Sequence, residues 1–217
     1  MKPQVIGISG SPIKNSNTDR LVQKVLNSTG LETEFIKLSE HKVQPCIACL
    51  GCTKDNICKV KDDFQEIAEK VKHAGAIVVG GYPPYASIDA FTKAFLERLF
   101  SLRHQNGLNR GKLAVTVVTG IGRGAPGLDE ASQQVAQALG MEGMEVLGNL
   151  KATGNAECMT CGFGQSCPMS ALPWVFGDDT EITPEKFCAV EDQKETWKQA
   201  DTLGKEITER LKKVNMM

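Results

Sequence analysis

Five short apolar runs, each followed by a polar or glycine-rich loop, constrain the fold of this chain most strongly. The runs are rich in β-branched residues and are bounded by turn-forming residues, which is typical of buried strands. They cover Val5–Ser9, Thr33–Lys37, Ala76–Gly80, Leu113–Val118 and Glu145–Leu150. Apolar residues at helical spacing predict helices that begin near Thr18 and run over about Asp62–His73, Ile88–Leu102, Asp129–Leu139 and Asp192–Lys213. This alternation predicts an α/β protein with a doubly wound, five-stranded parallel sheet, whose ligand site lies at the carboxyl ends of the strands.

The chain has 217 residues, a length that suits one domain with a sizeable core. We expect a single domain over 1–217, with the core of the fold in 3–150. A cysteine-rich segment without clear periodicity follows in 154–191, and an amphipathic helix over 192–213 closes the sheet.

Charge and hydropathy exclude several classes of protein. The net charge of -1 gives no nucleic-acid footprint and no surface for anionic membranes. The apolar runs are far too short to span a bilayer, and the first residues show no signal peptide. We therefore expect a cytoplasmic protein that binds neither nucleic acid nor membrane. In that reducing compartment, eight cysteines are better explained as metal ligands than as disulfides.

Four cysteines follow the second predicted strand within thirteen residues: Cys46, Cys49, Cys52 and Cys58. Thiolates at intervals of three, with a fourth close behind, can hold one iron–sulfur cubane. The spacing approaches the bacterial ferredoxin run without matching it, because the last gap is five residues and Lys59 follows where the ferredoxin run has proline. We interpret the four as cluster ligands; zinc, disulfides and inert thiols are the alternatives. His41 lies nearby without ligand spacing.

The loop after the first strand combines hydroxyl and amide side chains at the start of a helix. Backbone N–H groups and the helix dipole collect anions at such a position. The loop is neither a P-loop nor a dinucleotide-binding turn. A simple helix cap by Ser16 or Asn17 is the alternative to a phosphate monoester site. We favour the phosphate site, which would use Ser9, Ser11, Pro12, Ser16, Asn17 and Thr18.

Two further loops of unusual composition follow strands three and four. The first contains consecutive prolines between the only two tyrosines of the chain, and this rigid aromatic turn suits a flat ring system, although tyrosines packed under a loop would fit equally. The second is rich in glycine. The candidate binding residues in these loops are Tyr82, Pro83, Pro84, Tyr85, Ala86, Ser87, Thr119, Gly120, Gly122 and Gly124.

A second cysteine group lies in the segment 154–191. Its members are Cys158, Cys161, Cys167 and Cys188, with the spacing C-x2-C-x5-C-x20-C. This spacing fits a second iron–sulfur cluster or zinc, and buried or free thiols are the alternative.

These motifs together resemble the iron–sulfur flavoproteins, members of the flavodoxin-like NAD(P)H-dependent FMN reductases. The resemblance covers about residues 3–150 and rests on three motifs. They are Gly10-Ser11-Pro12 with Ser16-Asn17-Thr18, the compact cysteine run, and Gly81-Tyr82-Pro83-Pro84-Tyr85 leading to Lys93-Ala94-Phe95 and Arg98. It implies FMN with its phosphate in the first loop and its ring against the third- and fourth-strand loops. It also implies a [4Fe–4S] cluster and a homodimer or homotetramer. The second cysteine group goes beyond this family pattern.

We therefore expect a redox flavoprotein that passes electrons between a low-potential donor such as ferredoxin and an acceptor, through cluster and FMN. No catalytic side chain is expected, because the three histidines are scattered and no nucleophile–base constellation occurs. One alternative is an NAD(P)H-dependent FMN or quinone reductase. Another is a zinc-binding structural or sensing module.

Overall fold

A five-stranded parallel sheet organises the molecule. The structure, a computed structural model, describes residues 4–122 and 127–215. In chain order the strands and helices are β1 (Val5–Ser9), α1 (Asn17–Thr29), β2 (Thr33–Lys37), α2 (Phe64–His73), β3 (Ala76–Gly81), α3 (Ala90–Arg98), α4 (Phe100–Arg103), β4 (Leu113–Ile121), α5 (Leu128–Met141), β5 (Glu145–Gly154), α6 (Leu172–Phe176) and α7 (Lys194–Asn215). The strand order β2-β1-β3-β4-β5 is that of flavodoxin, which confirms the predicted fold class.

Helices cover both faces of the sheet, so its central strands are buried throughout. On one face α2, α3 and α5 pack on β-branched side chains of the strands such as Ile6, Ile77 and Val79. On the other face α1 and α7 pack on Val5, Val78 and their neighbours. Burial on two sides explains why the strands appear in the sequence as continuous apolar runs rather than as alternating ones. None of the described helices has the length and apolarity needed to cross a membrane.

Two strands extend further than the sequence predicted. β4 continues to Ile121 and β5 to Gly154, because the two strands stay paired up to the contact of Ile121 with Gly154. Thr119 and Gly120 therefore belong to the end of a strand and not to a free loop. The predicted helix over Ile88–Leu102 is divided into α3 and α4, and Asp89 caps the first of them.

A buried ion pair fixes both ends of the cysteine loop to α3. The Nη1 and Nη2 atoms of Arg98 donate to the Asp62 carboxylate at 2.7 and 2.9 Å, and both side chains are fully buried. Arg98 Nη1 also donates to the carbonyl of Gln44 at 2.8 Å, and the Gln44 N–H donates to Asp62 at 2.9 Å. Because Gln44 precedes the first cysteine and Asp62 follows the fourth, one side-chain pair closes the loop.

The two partners hold each other in the charged state. Burial raises the pKa of the Asp62 carboxyl, but hydrogen bonds from Arg98 and from the Gln44 N–H outweigh it, so that the net pKa is lowered. A carboxyl with a lowered pKa stabilises the fold above its unfolded-state pKa, and this stabilisation is lost as the pH falls through the folded-state value.

We predict that Asp62→Asn lowers the free energy of unfolding by about 3–5 kcal/mol at neutral pH, because it leaves the buried Arg98 charge without a partner. The difference from wild type should shrink in acid, where Asp62 itself becomes neutral. Urea unfolding at neutral and at acidic pH, followed by circular dichroism, measures the effect.

Asp55→Asn is the matched control in the same loop. Its partner is Lys59, and both side chains are nearly half exposed, so we expect a much smaller loss of stability than in Asp62→Asn. Equal losses in the two variants would contradict a special role for the buried pair.

Candidate functional site

A buried lysine–carboxylate pair holds the loop between β1 and α1 in its conformation. Lys37 Nζ lies 2.6 Å from Asp19 Oδ2 and donates to the carbonyl of Ile13 at 2.8 Å. The other carboxylate oxygen of Asp19 accepts from Ser9 Oγ at 2.6 Å. Ser16 caps α1, because its Oγ accepts the Asp19 N–H while Asp19 accepts the Ser16 N–H. Ser9 and Ser16 therefore serve the shape of the loop.

Two more of the candidate phosphate residues bond to distant parts of the chain. Thr18 Oγ1 lies 2.6 Å from Thr119 Oγ1, which ties the β1 loop to the end of β4. Asn17 Nδ2 donates to the carbonyl of Cys188 at 2.9 Å, and its Oδ1 accepts the N–H of Val190. Ser11 is buried and Pro12 exposed at the turn itself. A phosphate at this loop would therefore be held by backbone N–H groups and Ser11 more than by the other side chains.

The loop after β3 has an unusual backbone conformation. Tyr85 and Ala86 both have positive φ angles, of 51° and 60°, which residues with a side chain seldom adopt. The Tyr85 side chain is fully exposed, whereas Tyr82, Pro83 and Pro84 are half-buried and Ala86 and Ser87 exposed. Such conformations cluster at ligand-binding loops and cost about 1–3 kcal/mol each.

Asp89 positions this loop. No motif in the sequence marked it as a site residue. Its carboxylate accepts the N–H of Tyr82 at 3.2 Å and the N–H and hydroxyl of Thr92 at 2.8 Å each. Burial raises the pKa of Asp89 despite these bonds. The available signal was local: an aspartate placed just before a predicted helix favours an N-cap.

The three candidate loops meet at the carboxyl edge of the sheet. A Cβ on Gly120 would lie 3.1 Å from Pro83, and one on Gly10 would lie 2.0 Å from the Thr92 hydroxyl, so these glycines permit close approach. Gly122, with φ of 68°, lies opposite Val175. Gly124 lies outside the described residues. Together with the Thr18–Thr119 contact, this forms one continuous edge from the β1, β3 and β4 loops.

All four cysteines of the first group line one recess, together with residues of α3 and α4 that include Arg98, Phe100 and Ser101. Cys52 is buried and the other three are partly or fully exposed. Ala48 and Leu50 have positive φ angles of 52° and 54°, so the chain turns back on itself between successive cysteines. Burial, together with the neighbouring thiols, raises the pKa of Cys52.

The cysteines of the second group lie elsewhere, in the segment after β5. Cys158, Cys161 and Cys167 belong to one compact turn, and Cys188 lies beside Asn155, which bonds to its N–H and its carbonyl. Among the residues that the structure describes, no three His, Cys, Asp or Glu side chains converge on a point that could hold a single metal ion.

Comparison with known families matches residues 3–156 to the family described as NADPH-dependent FMN reductase. An iron–sulfur flavoprotein of Methanocaldococcus jannaschii is 36% identical over 149 residues, which are 67% of this chain and 76% of the relative. An iron–sulfur flavoprotein of Methanosarcina thermophila is 30% identical over 149 residues, which are 67% of this chain and 78% of the relative.

Solved structures with the same fold are more distant in sequence. RosB with bound 8-demethyl-8-formylriboflavin-5'-phosphate superposes with a TM-score of 0.65 at 15% identity, covering 97% of this chain and 81% of RosB. A flavodoxin from Archaea superposes with a TM-score of 0.53 at 14% identity, covering 96% of this chain and 98% of the flavodoxin. At this identity the likeness establishes the fold alone.

We predict that Thr119→Val weakens FMN binding by about tenfold or more, a loss of about 1.4 kcal/mol. The substitution keeps the shape of the side chain but leaves the buried Thr18 hydroxyl without its partner, so the β1 loop loses its tie to β4. Quenching of FMN fluorescence on titration with flavin-free protein gives the dissociation constant.

Thr116→Val supplies the control on the same strand. Thr116 is fully buried and donates to Asn149 at 2.7 Å, but it lies before the carboxyl edge. It should lose comparable stability and keep wild-type FMN affinity. An equal loss of affinity in both variants would show that the effect comes from general destabilisation.

Proposed function

The chain belongs to the NADPH-dependent FMN reductase family, and on this basis we propose that it passes electrons between a low-potential donor such as ferredoxin and an acceptor through a [4Fe–4S] cluster and FMN. Its membership makes it an FMN-dependent oxidoreductase of flavodoxin-like fold. FMN exchanges one or two electrons and an iron–sulfur cluster one, so a protein with both groups connects one-electron and two-electron carriers.

The observation that carries the cluster proposal is the recess lined by Cys46, Cys49, Cys52 and Cys58. In a cubane each thiolate binds a different iron, so four ligands need to surround a recess rather than converge on one point.

Arg98 provides a second test of the fit. It lines the same recess, and its Nε is buried with no hydrogen-bond partner in the described part of the chain. A buried donor without an acceptor is costly, and an anionic cluster in the recess would supply one. Arg98 also interacts with the Cys58 thiol, which places its positive charge next to a proposed ligand.

We propose that FMN binds along the edge formed by the β1, β3 and β4 loops. The phosphate would bind at the N-terminus of α1, where Ser11 and backbone N–H groups are held in place by Asp19 and Lys37. The ring would lie against the β3 and β4 loops. The residues proposed for the whole site are Ser9, Ser11, Pro12, Ser16, Asn17, Thr18, Tyr82, Pro83, Pro84, Tyr85, Ala86, Ser87, Thr119, Gly120, Gly122 and Gly124.

We infer that residues 1–217 form one domain, since α7 packs on the same apolar face of the sheet as α1. The core would comprise 3–150, with the cysteine-rich segment 154–191 and the closing helix as additions.

The family description favours a second candidate, in which NADPH donates a hydride directly to the flavin. In that case the cysteine loop would be accessory. The two candidates differ in whether electrons reach the flavin when the cysteine recess is disrupted.

We predict that Cys46→Ser/Cys49→Ser slows reduction of bound FMN by reduced ferredoxin at least about tenfold, because the cubane loses two of its four ligands. Anaerobic stopped-flow absorbance of the flavin measures the rate. Thr53→Ala, in the same loop but not a ligand, should react like wild type. Rapid flavin reduction by NADPH in wild type and double variant alike, with no response to ferredoxin, would reject the electron-transfer proposal and support the reductase.

We also propose a homodimer or homotetramer. Ile47 and Leu50 line the cysteine recess, and Ile57 precedes Cys58 in the same loop. These three residues are 65%, 58% and 47% exposed, an apolar surface that suits a subunit contact. Sedimentation velocity of wild type should give an oligomer, and Ile47→Lys/Leu50→Lys should shift it toward monomer. A monomeric wild type at micromolar concentration would refute this assignment.

A further inference from the structure

The spacing of the first cysteine group recurs in the segment after β5. Cys49, Cys52 and Cys58 are separated by two and five residues, and so are Cys158, Cys161 and Cys167. The second set lies beyond residue 156, where the match to the FMN reductase family ends. Nothing in that match assigns a role to these cysteines, so their chemistry must be argued from their surroundings.

Backbone N–H groups are directed at all three sulfurs. The N–H of Ala171 donates to Cys158 Sγ at 3.3 Å. The N–H of Phe163 donates to Cys161 Sγ at 3.4 Å, and that of Met169 to Cys167 Sγ at 3.4 Å. In iron–sulfur proteins, hydrogen bonds to the cysteine sulfurs tune the reduction potential of the cluster. Three such bonds within one turn distinguish this segment from a set of incidental thiols.

The turn that carries the three cysteines folds back tightly on its own start. A Cβ on Gly164 would lie 2.0 Å from the Cys158 carbonyl oxygen, so only glycine allows the chain to cross back over its own start. The Cys161 thiol also approaches that carbonyl, at 3.6 Å. The turn packs on a small apolar cluster of Ala156, Met159 and Leu172.

The fourth cysteine is attached to the beginning of the same turn. The Cys188 N–H donates to Asn155 Oδ1 at 2.7 Å, and Asn155 Nδ2 donates to the Cys188 carbonyl at 3.1 Å. Asn155 precedes Cys158 by only three residues. A second amide clamp reinforces the contact, because Gln193 bonds to both the N–H and the carbonyl of Thr153 at 2.8 Å.

We infer that Cys158, Cys161, Cys167 and Cys188 bind a second iron–sulfur cluster, in addition to the cluster proposed at Cys46–Cys58. Four cysteines are the ligand number of a [4Fe–4S] centre.

The segment borders two of the three strand ends that form the candidate FMN edge. The Cys188 carbonyl is bonded to Asn17 of the β1 loop. Ile121, at the end of β4, packs against the apolar cluster on which the turn lies. A second cluster here would be a one-electron centre placed at the flavin edge of its own subunit.

The test is an iron, sulfide and zinc determination on anaerobically purified full-length protein, for wild type and for two variants. One variant replaces Cys46, Cys49, Cys52 and Cys58 by serine, and the other replaces Cys158, Cys161, Cys167 and Cys188. Two [4Fe–4S] clusters predict about eight irons per chain in wild type and about four in each variant. Bound FMN and the circular dichroism spectrum report whether each variant is folded.

The comparison separates this inference from the proposed function. Iron that depends only on the first group would overturn the inference and leave the proposed function intact. Iron that depends only on the second group would support the inference and refute the first cluster. Zinc in place of iron, or a disulfide among the four second-group cysteines in the anaerobic protein, would also overturn it.

A milder pair of variants keeps the test decisive if a quadruple variant fails to fold. Cys161→Ser/Cys167→Ser alters two exposed residues, and Ser166→Ala/Ser170→Ala alters two neighbours in the same turn. The inference requires the cysteine pair to lose about half of the iron while the serine pair keeps all of it. Equal iron in the two would overturn it.

Discussion

The buried contact between Arg98 and Asp62 is the interaction on which the conformation of the cysteine loop depends. It joins residues 36 positions apart and, through Gln44, fixes both ends of the cysteine loop against α3. A fully buried ion pair gains little stability over an apolar pair of the same size, but loss of one partner is severe. Its value here is geometric, because a loop that we propose to surround an inorganic group cannot rely on an apolar core of its own. The positive charge of Arg98 also lies beside the cysteine recess, where it would stabilise thiolate ligands.

Buried charges position the loops of the proposed FMN site in the same way. Asp19 with Lys37 shapes the β1 loop, and Asp89 fixes the β3 loop and the start of α3. These carboxylates accept hydrogen bonds from backbone N–H groups and hydroxyls of the very loops that form the binding edge. Since the loops carry little apolar surface, such bonds provide the rigidity that hydrophobic packing provides elsewhere. A site arranged in this way is formed before its ligand arrives.

The segment after β5 shows how an addition to a common fold can be tied to the original site. It contributes a small apolar cluster, but its attachment is polar: Asn17, Asn155 and Gln193 each bond to backbone groups across long stretches of chain. Amide side chains suit this task because one group both donates and accepts. The cysteines carried by the segment are therefore held in a fixed relation to the β1 loop.

Local sequence patterns were enough to predict the order of strands and helices, the parallel sheet and the placement of the polar and glycine-rich loops at one edge. These follow from hydrophobic periodicity and from turn and cap residues, which act over a few neighbours. The sequence also located the compact cysteine run, since ligands within thirteen residues need no long-range information. Even Ser16, the helix cap, was visible locally.

Which polar groups bond to one another could be read only from the folded chain. The pairs Asp19–Lys37, Asp62–Arg98 and Asn17–Cys188 are separated by 18, 36 and 171 positions. No periodicity connects such residues, because their contact depends on strand order and on how the helices pack. For the same reason the sequence predicted Ser9, Asn17 and Thr18 as ligand-binding residues, and only the folded chain shows that their side chains also hold its own loops. Hydrogen-bonding groups in a loop can serve the protein as well as a ligand, and sequence patterns do not distinguish the two roles.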